Sequence, residues 1–113
     1  MEKATEFRIV FITTESNHSA HQISRILVAE NLAACCTITP NVVSIFNWEG
    51  SISERHEFQV QIKTSKENLE FVEQRIKEIH SDDVPEIISI PMDSASGDYL
   101  SWLKESVSLE NNA

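Results

Sequence analysis

Glu57-Phe58-Gln59-Val60-Gln61-Ile62-Lys63 is the stretch that decides the fold. Phe58, Val60 and Ile62 alternate with Glu57, Gln59, Gln61 and Lys63. That period of two belongs to a strand with one buried and one polar face. Just upstream, Glu49-Gly50-Ser51 is turn chemistry, and before it residues 34–48 read as a long strand. The segment at 57–63 therefore returns from a hairpin. Pro40, inside the outgoing strand, has no amide to donate, which points to a bulge or an edge position.

On the N-terminal side, residues 7–14 (FRIVFITT) carry β-branched and aromatic side chains on both faces and read as a central strand. A cap cluster follows, Ser16-Asn17-His18-Ser19, and then Ala20, Ile23, Ile26 and Leu27 recur at helical spacing as far as about Asn31. On the C-terminal side, Ser65 is placed to cap a second helix with Glu67 in its first turn. Its apolar stripe is Leu69, Val72, Ile76 and Ile79. Pro85 ends the next loop, residues 86–92 (EIISIPM) form a fourth, apolar strand, and a short last helix holds Tyr99, Trp102 and Leu103.

The order is βαββαβ with a C-terminal helix, an α+β, ferredoxin-like arrangement. The 113 residues make a single domain, 1–113, with an ordered core at about 7–107 and fraying expected beyond about Leu109. Two helices cover one face of a four-stranded sheet, yet Val10, Ile12, Val42 and Phe46 or their neighbours put apolar groups on both. Another copy of the chain is the expected cover for the second face.

Eighteen Asp and Glu against nine Lys and Arg give a formal charge of −9. Such a balance repels phosphate backbones and anionic lipid surfaces, so neither nucleic acid nor membrane is an expected partner. No apolar run is long enough to span a bilayer. Acidic residues among the first six stand where a signal peptide needs basic ones, so a cytoplasmic location is expected. Cys35 and Cys36, adjacent on a strand, point to opposite faces and should not pair.

The residues nominate no reaction. Cys35 with His80 matches no thiol-enzyme signature, and two scattered glycines build no phosphate cradle, so no organic cofactor is expected. The His18 and His21 pair could share a face of the first helical turn, where cationic charge would oppose the helix dipole. No His or Cys stands at zinc-finger, H-x-x-x-H or EF-hand spacing. Trp48 at the hairpin tip reads equally as an interface anchor or as a side chain packed on its own domain.

Five segments in order, Leu32-Ala33-Ala34-Cys35, Trp48-Glu49-Gly50, Glu57-x-x-Val60-Gln61-x-Lys63-Thr64, Val84-Pro85-Glu86-Ile87 and Tyr99-Leu100-x-Trp102-Leu103, together resemble the CutA divalent-cation tolerance family over residues 9–107. The resemblance implies a PII-like homotrimer of ferredoxin-like subunits that is not an enzyme and binds copper or another divalent metal ion at or near the clefts between subunits. Carried over by position, the cleft residues are Cys35, Trp48, Glu57, Lys63, His80, Glu86 and Tyr99. Cys35 and His80 are the implied copper ligands, since thiolate and imidazole suit Cu(I) and Cu(II), and Glu57 or Glu86 could complete the set or pair with Lys63. A PII-like module taking a small anion or metabolite through Lys63, or a trimeric scaffold with Trp48 at a protein contact, are the alternatives. Where the family reads His-Pro-Tyr, this chain has His80-Ser81-Asp82, and Ile12 and Arg75 stand where some members carry further thiols.

Overall fold

The computed structural model describes residues 1–107. In chain order the elements are β1 (Glu2–Lys3), β2 (Phe7–Thr14), α1 (Asn17–Ala29), β3 (Cys35–Trp48), β4 (Ser51–Ser65), α2 (Leu69–Ile79), β5 (Ile87–Pro91), β6 (Ser94–Ala95) and α3 (Gly97–Ser106). β2 to β5 form one antiparallel sheet in the spatial order β3-β4-β2-β5, and β1 pairs with β6. With the two short strands set aside, this is the expected ferredoxin-like βαββαβ. The β1–β6 pair was not legible in the sequence, because two-residue strands are too short to show any period.

The alternation at 57–63 does what its period demands. Val60 and Ile62 are fully buried, beside Val10 and Ile12 of β2, under a lid made by Ala20, Ile23 and Leu27 of α1 and Val72 and Ile76 of α2. Each fully buried Ile or Leu side chain stabilises the fold by roughly 1.5–3 kcal/mol. α1 starts at Ser16, whose hydroxyl accepts from the Ser19 amide at 3.0 Å. It ends in a Schellman motif: Asn31 takes φ of 57°, its amide donates to Val28 O and the Leu32 amide to Leu27 O. That turn drops Leu32 into the core and aims the chain into β3.

The second helix begins differently from the expectation. Ser65 makes no side-chain cap bond; a single 3-10 turn, Lys66–Asn68, intervenes before α2, with Glu67 in that turn. Asn68, almost wholly buried, donates from its side chain to Val107 O at 2.9 Å, so it ties the end of α3 to the start of α2.

α3 lies on the opposite sheet face. Its Leu103, with Val107, packs on Phe7, Ala34, Met92 and Ala4, and Ile9 borders this second cluster. The helix covers one end of that face only. Ile88 (53% exposed) and Ile90 (46%), cross-strand partners of Phe11 and Ile9, remain open to solvent, as does most of the distal β3–β4 hairpin. The fraying expected beyond Leu109 falls outside the described residues.

Candidate functional site

The site is made by a bulge. Thr39 pairs with Gln59 and Val42 with Glu57, so β3 spends three steps where β4 spends two. Pro40 and Asn41, the latter with φ of 60°, supply the extra residue. Before the bulge the odd-numbered Cys35, Thr37 and Thr39 stand opposite the odd-numbered residues of β4; after it the even-numbered Ser44, Phe46 and Trp48 do. One extra residue thereby puts Phe46 and Trp48 beside Ser53, Arg55 and Glu57 on the open face. Glu49 (φ 50°) and Gly50 (φ 83°) close the hairpin in a two-residue turn with both φ positive, which matches the strand twist.

Across from the hairpin runs the 80–86 loop, and between them opens a groove of about 910 Å³ that Thr13 also lines. His80 anchors the loop. Its side chain is wholly buried, its Nδ1 accepts from the Asp82 amide at 2.9 Å, and Nε2–H therefore donates to Thr13 O at 2.8 Å. Arg55 pins the same loop to the hairpin: one guanidinium nitrogen lies 3.2 Å from Asp82 Oδ2 and 3.9 Å from Glu15 Oε2. Its Nε sits 3.5 Å from Glu57 Oε2 without making a hydrogen bond, and Glu57 itself is 5% exposed. Glu86 Oε2 accepts weakly, at 3.4 Å, from the Thr13 hydroxyl.

A second group stands near α3. Cys35 is paired with Lys63 across the strands, and the Lys63 ammonium donates to the Thr37 hydroxyl at 2.8 Å with Cys35 Sγ at 4.0 Å. No carboxylate partners Lys63 among the described residues. Burial, and next the neighbouring Cys35, push the Tyr99 hydroxyl above its usual range. Tyr99 and Trp102 stack at a tilt, ring centres 5.6 Å apart. Cys36 faces the opposite way, into the core, where burial drives its thiol up to about 11. Both thiols are free, as the strand geometry required.

The seven expected site residues thus fall into two places on one sheet face. Trp48, Glu57 and Glu86 line the groove, with His80 buried behind it. Cys35, Lys63 and Tyr99 meet at the other end. Lys63 and Glu57 are six positions apart on β4, or ~20 Å. Among the described residues no three His, Cys, Asp or Glu converge as a metal would need. His80 has neither nitrogen free, and His21 Nδ1 is 2.9 Å from its own helix's Asn17 carbonyl. Arg55, Asp82 and Thr13 were not anticipated, although the departure at Ser81-Asp82 marked the loop.

The model of the CutA1 divalent ion tolerance protein family matches residues 8–106. The chain belongs to this family. The CutA divalent-cation tolerance protein of Thermus thermophilus is 37% identical over 97 residues, 86% of this chain and 94% of that protein. The chloroplastic CutA of Arabidopsis thaliana is 35% identical over 98 residues, 87% of this chain but only 54% of that longer protein. The solved structure of CutA from Synechococcus elongatus superposes with a TM-score of 0.91 at 30% identity and covers 95% of each chain. Asp82 holds Arg55 through its carboxylate and His80 through its amide, so a charged clasp closes the loop in this member of the CutA1 family.

Proposed function

We propose that the protein is a non-catalytic divalent-cation tolerance factor of the cytoplasm. It would act as a PII-like homotrimer that takes up copper or another divalent ion at or near the clefts between subunits. The carrying observation is the separation of its donors. Cys35 opposes Lys63, ~20 Å along β4 from Glu57, so a site that uses the thiol and the carboxylate must draw them from different chains. The exposed Val43, Ile45, Ile52, Ile88 and Ile90 support assembly, because a lone subunit would leave them in water.

Cys35 is the soft donor that favours copper, and Glu57 and Glu86 are hard donors that would accept other divalent ions. His80 joins them only by giving up the Asp82 amide; otherwise it holds the loop that presents Glu86. A PII-like reading, with a small anion at Lys63, is favoured by one observation: that ammonium is met by a hydroxyl and a thiol rather than by a carboxylate.

Calorimetric titration of chelator-stripped protein with Cu(II) and Zn(II), under a weak competing ligand, tests the metal reading. A Cu(I) titration against a competing probe is run beside it, because a thiol can reduce Cu(II). Saturation near one ion per chain, weakened roughly tenfold or more in Cys35→Ala, supports the reading. Heat that disappears against the competitor, or that is unchanged in both Cys35→Ala and Glu57→Gln, rejects it. Phosphate or nucleotide binding that Lys63→Met abolishes, with no metal uptake, favours the anion.

A further inference from the structure

We propose that residues 2–4 latch α3, and that strap and helix open together while the core under α1 and α2 stays folded. The opening bares the Cys35–Lys63 end of the sheet.

α3 has little of its own to hold it. At ten residues it is shorter than a helix that stands alone in water, and among its residues only Leu103 is buried. Leu103 and Val107 meet Ala4, Phe7, Ala34 and Met92 in a cluster separate from the one around Val60 and Ile62. A segment with few apolar contacts, apart from the main core, opens at a lower free energy than the whole chain unfolds.

Its two ends are fastened from outside. At the C-terminal end Asn68 holds the Val107 carbonyl at 2.9 Å. At the N-terminal end the strap does the same work. Glu2 and Lys3 pair with Ala95 and Ser94, the Ala4 amide donates to Asp93 O at 3.0 Å, and Ala4, almost wholly buried, joins the Leu103 cluster. A two-stranded ribbon of this length is marginal by itself. The Glu2 carboxylate adds to it by lying against the first turn of α3, where the helix dipole favours negative charge. A methyl group on Gly97 would stand 3.0–3.2 Å from that carboxylate, so the glycine leaves room for the approach.

α3 is also a wall of the Cys35–Lys63 end. Ala34, just before β3, packs in the Leu103 cluster, and Tyr99 of α3 lies beside Cys35. Lifting the helix removes Tyr99 and uncovers the start of β3. That the uncovered end then takes a soft metal ion rests on the function proposed above. The latch itself is tested on metal-free protein, so the two fail separately.

Hydrogen–deuterium exchange, read by mass spectrometry on the assembled protein in chelator, measures the opening. In the parent, α3 amides beyond the first turn should exchange at least about tenfold faster than those of β4 and α2. Glu2→Gln should speed α3 a further two- to fivefold or so, the worth of a charge at a helix N-terminus, and leave β4 unchanged. Ala4→Asp puts a charge into the cluster. It should speed α3 by about tenfold or more, and iodoacetamide should alkylate Cys35 faster with it. A thermal melt checks that both variants are folded. Exchange of α3 in step with β4, as when a neighbouring copy holds the helix down, overturns the proposal. So does α3 exchange at the parent's rate in both variants, or Cys35 alkylation at the parent's rate in Ala4→Asp.

Discussion

His80 donates from Nε2 to the carbonyl of Thr13 at 2.8 Å, and through that bond the loop after α2 is fastened to the central strand. The ring nitrogen on the other side accepts from the Asp82 amide, so one neutral tautomer is specified. His80→Ala would leave a backbone carbonyl and an amide unpaired. A loss of ~1–3 kcal/mol is expected in urea unfolding, with the m value unchanged. His80→Gln, able to donate to Thr13, should recover part of it. A ring acting solely as a metal ligand would give no loss in metal-free protein.

The two adjacent thiols should differ sharply in reactivity. Cys36 is held as a thiol, its ionisation pushed up to about 11 by burial, whereas Cys35 is half-buried on the open face beside Lys63. At pH 8, iodoacetamide should add one group per folded chain, on Cys35, and a second only in denaturant. Peptide mass spectrometry reads both positions, and equal labelling of the pair in folded protein would refute the assignment.

The hairpin tip carries backbone strain at a residue that gains nothing visible from it. Glu49 sits at φ 50°, where Asn is far better tolerated, and Gly50 at φ 83° has no atom within 4 Å of the place a Cβ would take. Glu49→Asn should stabilise by up to ~1 kcal/mol, and Gly50→Ala should destabilise by about 1–2 kcal/mol through the backbone alone. Thermal melts of the two variants separate these effects.

The Glu30–Arg75 pair bridges the end of α1 to α2 at 2.9 Å and makes stability depend on acid. The hydrogen bond from Arg75 holds the Glu30 carboxyl below its ordinary range. A lowered carboxyl contributes stability in full above its unfolded-state pKa and loses it as pH falls through the folded one. The pair is solvent-facing, so the effect is small. Glu30→Gln should be slightly less stable than the parent at pH 7 and indistinguishable from it near pH 3, measured by urea midpoints.

Much of this architecture could be read from local patterns, and what could not follows from distance. The alternation Phe58-Val60-Ile62 and the stripe Val72-Ile76 report directly which faces are buried, because one element's own period carries that information. Pro40 announced a bulge, and β3 is indeed an edge strand with its register shift between Thr39 and Val42. That the bulge would turn Phe46 and Trp48 toward Glu57 depends on which side of the break each residue lies, and a proline does not fix that. Glu57 looked like the start of the polar face; it is on that face, yet buried by Arg55 and the loop. Arg55 and Asp82 are 27 positions apart, and nothing in either neighbourhood indicates that the chain brings them to 3.2 Å.

The placement of the metal between chains is tested most directly by native mass spectrometry of chelator-stripped protein, before and after one equivalent of Cu(I) or Zn(II) per chain. The parent should run as a trimer and gain three ions. A variant with Ile88→Glu and Ile90→Glu, on the open sheet face, should run as a monomer and gain none. A parent that is monomeric, or a monomeric variant that keeps its ion with undiminished affinity, would contradict a site built between subunits.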